Sequence, residues 1–194
     1  MNKVSVLVEG YAREWGSSGW EASSSVVLIQ TDKYNILCDP GQNLDLLSKG
    51  LVKKNLKYSD IDWVFLTHTH IDHSYSMACF PEAKVIDFNS IYNRDTQDLH
   101  KGEIPGTNIK IMATPGHMVD HGSLVVPVNS VIYVVAGDVF WWAEDEEEKT
   151  DRHSLLSKKD PIEGVDDKIL LESRKKILEI ADCIIPGHGK MFKT

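Results

Sequence analysis

The stretch LTHTHIDHSYSM, residues 66–77, sets His68, His70, Asp72 and His73 within six positions. Imidazole nitrogens and carboxylate oxygens are the donors that zinc, iron and manganese accept. In extended backbone His68 and His70 point the same way, because side chains alternate with period two, so both rings can grip one cation. A turn into helix near Ser74 would swing Asp72 and His73 together toward a neighbouring point. One loop can thus feed two metal positions. Four donors are too few for two ions, and three distant segments supply candidates: His117 in TPGH, Asp138 in AGD and His188 in PGHG. Each follows an apolar strand through a glycine, where the backbone bends sharply or approaches another group closely. Taken singly, a histidine after a strand is an ordinary structural residue and a Gly-Asp pair is a turn. Beside His-x-His-x-Asp-His they read as one binuclear site.

Two such ions, roughly 3.5–4 Å apart, hold a bridging hydroxide and polarise the oxygen of the bond under attack. Water on zinc ionises near a pKa of about 7 instead of the roughly 15.7 of bulk water, so a nucleophile exists at neutral pH. Nitrogen-rich donors with carboxylates suit zinc, with iron and manganese as alternative occupants. Asp72 is the candidate catalytic residue, ligating and also holding or accepting the nucleophile's proton. The expected reaction is hydrolysis of an ester, thioester, lactone or phosphodiester, RNA included. No serine or cysteine nucleophile is required.

These residues need strands that end at one edge. Apolar alternation predicts strands over residues 3–9, 24–30 and 35–39, and a helix over 43–55 with Gly50 weakening its end. The apolar run WVFLT, 63–67, reads as a strand buried on both faces and leads straight into the histidine cluster. A short helix over SYSMACF and a strand over AKVIDF follow. Further strands are expected in NIKIMAT, SLVVPV, VIYVVAG and CII, and a helix over 166–182 with Leu170, Ser173, Ile177 and Ala181 on one side. Three segments read as irregular: the Gly-, Ser- and aromatic-rich connection before residue 24, the polar 89–106, and the acid-rich 144–160, taken as a solvated excursion. The order suits one α/β domain over 1–194, with two sheets between helix layers.

The 194 residues carry a net charge of −8 and no basic stripe, which argues against a general polyanion binder. Bound divalent metal would still supply local positive charge, so a nucleic-acid substrate stays beside a small molecule. Cys38, Cys79 and Cys183 are expected as reduced thiols. MNKVSVLVEGY reads as a first strand and not a signal peptide, no run approaches a membrane span, and a cytoplasmic location is expected. Oligomeric state leaves no mark in the sequence.

Thr67 to His73 matches T-H-x-H-x-D-H, and with ILCDPG, TPGH, AGD and PGHG in that order nearly the whole chain resembles the metallo-β-lactamase superfamily. EGYA, AGDVF with its acid-rich sequel and ESRKKILEIADCIIPGHG are most similar to the small proteins called metallo-β-lactamase domain-containing protein 1. The resemblance implies an αββα four-layer sandwich, two mixed β-sheets flanked by helices, with the site at one sheet edge. It implies that His68, His70 and His117 hold one metal and Asp72, His73 and His188 the other. Asp138 would bridge them, with Asp39 orienting ligands from behind. His121 falls where many hydrolases of this fold also carry a histidine, and supporting service is expected of it. Ser74-Tyr75-Ser76 departs from the Gly-Gly or Gly-Asn frequent there, which bears on pocket shape. Tyr75 is a candidate oxyanion donor. Tyr11, Trp15 and Trp20, and the run Val139 to Trp142 with Trp141 and Trp142, are candidate walls.

Two other classes compete with the hydrolase. His68, His117 and Asp138 also make a two-His, one-carboxylate set for a single non-haem iron, as in persulfide-oxidising members of this fold. A binding module that inherited the fold would be expected to lose ligands, and here all seven positions are filled.

Overall fold

The computed structural model describes residues 1–162 and 164–194. In chain order the strands are β1 (Lys3–Val8), β2 (Tyr11–Trp15), β3 (Gly19–Ser23), β4 (Val26–Gln30) and β5 (Asn35–Cys38), followed by helix α1 (Leu44–Lys53). Strand β6 (Trp63–Phe65), helix α2 (Ile71–Ser74), β7 (Lys84–Ile86), β8 (Ser90–Asn93) and β9 (Thr96–Leu99) complete the first half. The second half runs β10 (Lys110–Ala113), β11 (Gly122–Val128), β12 (Val131–Trp141), α3 (Arg152–Ser157), α4 (Asp167–Ile180), β13 (Cys183–His188) and β14 (Phe192–Lys193).

Seven strands form one sheet in the order β1-β4-β5-β6-β7-β8-β9, and five form another, β10-β11-β12-β13-β14. Both are mixed: β5–β6, β6–β7 and β12–β13 pair parallel, and their other pairs run antiparallel. Alternation explains the layers. In β4, Val27 and Ile29 face the core between the sheets, while Val26 and Leu28 meet Leu47 and Leu51 of α1. In β6, Trp63 and Phe65 turn inward and Val64 outward. On the far side, Val134, Ala136 and Ile184 pack against Leu170 and Ile177 of α4. Strands covered on both faces are continuously apolar, which is why their sequences show runs and not clean alternation. The result is the expected αββα sandwich. Cys38, Cys79 and Cys183 are free thiols. Among the described residues no helix is long and apolar enough to cross a membrane.

Several expectations are corrected. The connection before residue 24 is a hairpin, β2–β3, forming its own two-stranded sheet. The polar stretch 89–106 likewise holds the β8–β9 hairpin at the end of the first sheet. In both, one or both faces lie in solvent, so charged and polar residues interrupt the pattern that marks a strand. The chain turns helical at Ile71, inside the histidine cluster, and not near Ser74, with His70 at the N-cap position of α2, and the short helix expected over SYSMACF is a 3-10 helix over Tyr75–Cys79. Strand β12 does not stop at Gly137 but continues to Trp141, its pairing with β13 shifting register on either side of Gly137.

Helix α1 is fixed at its start by Asn43, whose side chain accepts from the Leu46 amide at 3.1 Å. Replacing Asn43 by Ala removes that cap and is expected to lower unfolding free energy by about 1 kcal/mol, read as a lower urea midpoint at unchanged slope.

Candidate metal centre

All seven candidate ligands meet in one pocket. Ligand atoms of His68, His70, His117 and Asp138 lie within 4.8 Å of one another, and so do those of Asp72, His73 and His188. His70 Nδ1 stands 3.0 Å from His68 Nε2 and 3.1 Å from His117 Nε2. The carboxylate of Asp138 sits between the groups, one oxygen 3.4 Å from His117 Nε2, the other 3.2 Å from His73 Nε2. Asp72 Oδ2 lies 3.1 Å from His188 Nε2.

The scaffold produces this convergence strand by strand. Asp39 follows β5, residues 67–70 follow β6, His117 lies in the loop between β10 and β11, and His188 ends β13. Backbone bonds tie the loops to each other: Ser24 N–H to the Asp72 carbonyl at 3.0 Å, Gly41 N–H to that of His73 at 3.1 Å, and Gly122 N–H to that of Thr67 at 2.9 Å. Two glycines are required by contact. A Cβ on Gly187 would lie 1.7 Å from Asp138 Oδ1, and one on Gly116, whose φ is +136°, would lie 2.4 Å from the Leu170 backbone. Helix α4 therefore holds the His117 loop, and Ser173 Oγ donates to the Pro115 carbonyl at 2.6 Å.

Every outward ring nitrogen but that of His70 is engaged. His73 Nδ1 donates to Asp39 Oδ2 at 3.0 Å, His117 Nδ1 to Asp160 Oδ2 at 2.9 Å, and His188 Nδ1 to the Tyr11 carbonyl at 3.0 Å. His68 Nδ1 bonds Thr67 Oγ1 at 3.0 Å, and that hydroxyl donates to Asp39 Oδ2 at 2.7 Å. Asp39 also accepts from the Thr67 amide at 2.8 Å. The inward atoms are left facing one another, and buried His73 Nε2 and Asp138 Oδ1, 3.2 Å apart, make no well-formed hydrogen bond with each other or with any other described residue. Buried polar atoms without partners are costly and rare. The ring nitrogens of His68 and His117 stand 3.0 and 3.1 Å from that of His70, close enough together for bonds of about 2.0–2.1 Å to one cation. The donor set thus suits divalent metal in both groups.

The electrostatics point the same way. Burial works against the Asp138 carboxylate, yet His73 and His188 around it hold it well below the ordinary carboxylate range. Burial would likewise lower His73, but the Asp138 and Asp39 carboxylates outweigh it and raise the imidazole well above its usual value. Positive charge is favoured at the centre of this pocket. Burial drives His68 well down, keeping its ring a neutral donor.

His121 plays the supporting part expected of it. Its Nε2 accepts from the Asp138 amide at 3.3 Å and its Nδ1 bonds Thr114 Oγ1 at 2.9 Å, while burial pushes its pKa down to about 3. Trp20 and Trp141 line a cleft of about 240 Å³ over Asp72, Asp138 and His188. Tyr11 and Trp15 line an open groove that continues from it along the hairpin. Trp142 instead packs against Phe192 in the outer core, and Tyr75 is exposed outside the cleft lining.

One site residue was missed. The segment 144–160 is not wholly a solvated excursion: it holds α3, anchored by buried Leu155, and ends in Asp160 beneath His117. Its signal was slight, a carboxylate placed immediately before Pro161, where the chain is biased to extended backbone.

A Gly187→Ala substitution must displace the Asp138 carboxylate. The variant is expected to fold but to retain metal roughly 10-fold or more weakly, seen as lost metal content after dialysis against a chelator.

The sequence profile described as Metallo-beta-lactamase superfamily matches residues 19–87. The chain is 32% identical to "Metallo-beta-lactamase domain-containing protein 1" of Xenopus laevis over 202 residues, covering 100% of this chain and 82% of that protein. It is also 32% identical to a Methanocaldococcus jannaschii protein named "Probable metallo-hydrolase", over 77% of this chain and 68% of that one. A Thermotoga maritima structure described as a candidate metallo-beta-lactamase superposes with a TM-score of 0.72 at 20% identity, covering 100% of this chain and 99% of the other, and shares the fold. With its metal-grade residues gathered at one end of the sandwich, the chain belongs to the family of metallo-beta-lactamase domain-containing protein 1, within the metallo-beta-lactamase superfamily of metal-dependent hydrolases.

Proposed function

We propose that this metal-dependent hydrolase holds two zinc ions and cleaves an uncharged acyl bond, a carboxylic ester, thioester or lactone with apolar substituents. The carrying observation is the cleft. Apart from the ligands His70, Asp72, Asp138 and His188, the described residues that line it are Ala12, Trp20, Ala22, Gln42, Ile71, Trp141 and Ile162, with no lysine or arginine among them. A cleft for a phosphodiester would be expected to add cationic side chains that grip the flanking phosphates. Aromatic and aliphatic walls with a single amide suit an acyl compound.

His68, His70 and His117 would hold one ion, Asp72, His73 and His188 the other, with Asp138 shared. The filling of both groups favours this over a single iron on two histidines and a carboxylate. When bound, the ions supply an activated water near neutral pH and polarise the attacked carbonyl. The protein's own groups do the rest. Asp138 turns Oδ1 to His73 of one group and Oδ2 to His117 of the other, which places its carboxylate where both groups can share it. Asp72, kept in place by His188 and lying in the cleft lining, takes the proton from the attacking water and can return it to the leaving group. Trp20 and Trp141, rings edge to face at 6.4 Å, orient the substrate over Asp72 and limit water around it. Three free thiols agree with the reducing cytoplasm as the working compartment.

Asp138→Ala is expected to lose metal and turnover together, as is the native protein after chelation; turnover surviving in the metal-free variant would end this reading. In a panel of uncharged esters, thioesters and lactones against phosphodiesters and RNA, acyl substrates are expected to show the higher kcat/KM. Preference for the phosphodiesters would reverse the substrate assignment.

A further inference from the structure

We infer that Asp160 is the positioning residue for the first metal group, acting through His117, and that one carboxylate there supports both the metal centre and the substrate wall. The inference rests on the two-ion reading above. Asp160 Oδ2 accepts from His117 Nδ1 at 2.9 Å and from Trp141 Nε1 at 3.0 Å, with the Asp160 and His117 side chains both at 0% exposure. To donate to a carboxylate, His117 must carry its proton on Nδ1. Nε2, which faces His70 and Asp138, is then the free lone pair that a cation needs. A carboxylate behind a ligating imidazole also makes that nitrogen a stronger donor.

The arrangement is built and not incidental. Asp160 Oδ1 accepts from the Ile162 amide at 3.0 Å, so both carboxylate oxygens are engaged. Its backbone amide donates to Asp167 Oδ1 at 3.2 Å, on the first turn of α4. The chain leading to it is clamped from below by Arg174, which is 2% exposed. That guanidinium donates to the carbonyls of Val139 at 2.8 Å, Leu155 at 3.4 Å and Lys158. It therefore ties the strand just past Asp138 to the segment that delivers Asp160.

The two groups consequently differ in the carboxylate that bonds a ligand ring directly, although Asp39 also reaches His68 of the first group through Thr67 Oγ1. Asp39, from the first sheet, stands behind His73; Asp160, from the segment after α3, stands behind His117. Removing Asp160 should then weaken one ion selectively, which a general loss of packing would not do.

The test titrates metal-free protein with Zn²⁺ against a chromophoric chelator, and in parallel with Co²⁺ while following its visible absorption. Native protein is expected to bind two equivalents. Asp160→Ala is expected to weaken one equivalent about 10- to 100-fold, with an altered Co²⁺ band for that ion, and to leave the other within about 3-fold. Asp160→Asn keeps an acceptor oxygen without the charge and should weaken the same equivalent by less; if the alanine variant does not fold, this variant alone decides. Native affinity for both equivalents, or equal weakening of both, overturns the inference. A native protein that binds fewer than two ions instead strikes the two-ion reading on which it rests. Loss of ester or thioester turnover with both metals bound at native affinity leaves Asp160 only its bond to Trp141 and overturns its metal-positioning role.

Discussion

A carboxylate buried among imidazoles is the constraint to which the rest of this structure answers. Asp138 is 4% exposed and has His68, His73, His117 and His188 within 3.8 Å. A lone buried charge is strongly unfavourable, so the site is stable only when positive charge gathers around it. That requirement brings the ends of β6, β10 and β13 to one place. It also dictates the backbone beside it. Gly137 adopts a φ of +53° inside β12, and Gly187 leaves the space that the Asp138 carboxylate fills. Strand β12 slips register with β13 on both sides of Gly137 because it must turn one polar side chain toward the other sheet.

The two sheets divide the labour. The first supplies the compact run from His68 to His73, held by Asp39 and Thr67. The second supplies His117, Asp138 and His188 from three separate strands or loops. Neither set is complete without the other, so the chemistry depends on the sandwich closing with its faces in register. The core between the sheets, from Val27 and Phe65 to Leu124 and Ile185, secures that closure. Rings whose outer nitrogens are already engaged have little rotational freedom left, and a metal finds its donors already aimed.

How far the sequence disclosed this follows from how local each signal is. His68 to His73 lie within one turn and one strand end, and their spacing alone exposes them. His117, Asp138 and His188 are legible because each shares a strand-glycine setting with the others. Strands β4, β6 and β12 announce themselves by apolar runs. The β2–β3 hairpin does not, since Arg13 pairs with Glu21 in solvent and Trp15 and Trp20 are exposed. Asp160 was hidden for a different reason. Its partner His117 is 43 positions away, and only the following Pro161 distinguishes it from the acids that precede it. Contacts made only by tertiary folding leave no local pattern to read.

The hairpin β2–β3 has two ends with different duties. Its base gives the Tyr11 carbonyl to His188, whereas Trp15 and Trp20 flank its outer turn. On the acyl-bond reading proposed above, ion retention leans on the base of the ribbon, while the rings nearer its turn bear on substrate choice. Divergence among descendants of this gene can reshape the tip, trading bulky rings for other groups and altering its length, while inheriting an untouched inorganic core. New substrate preferences would then arise without passing through forms that have lost their ions.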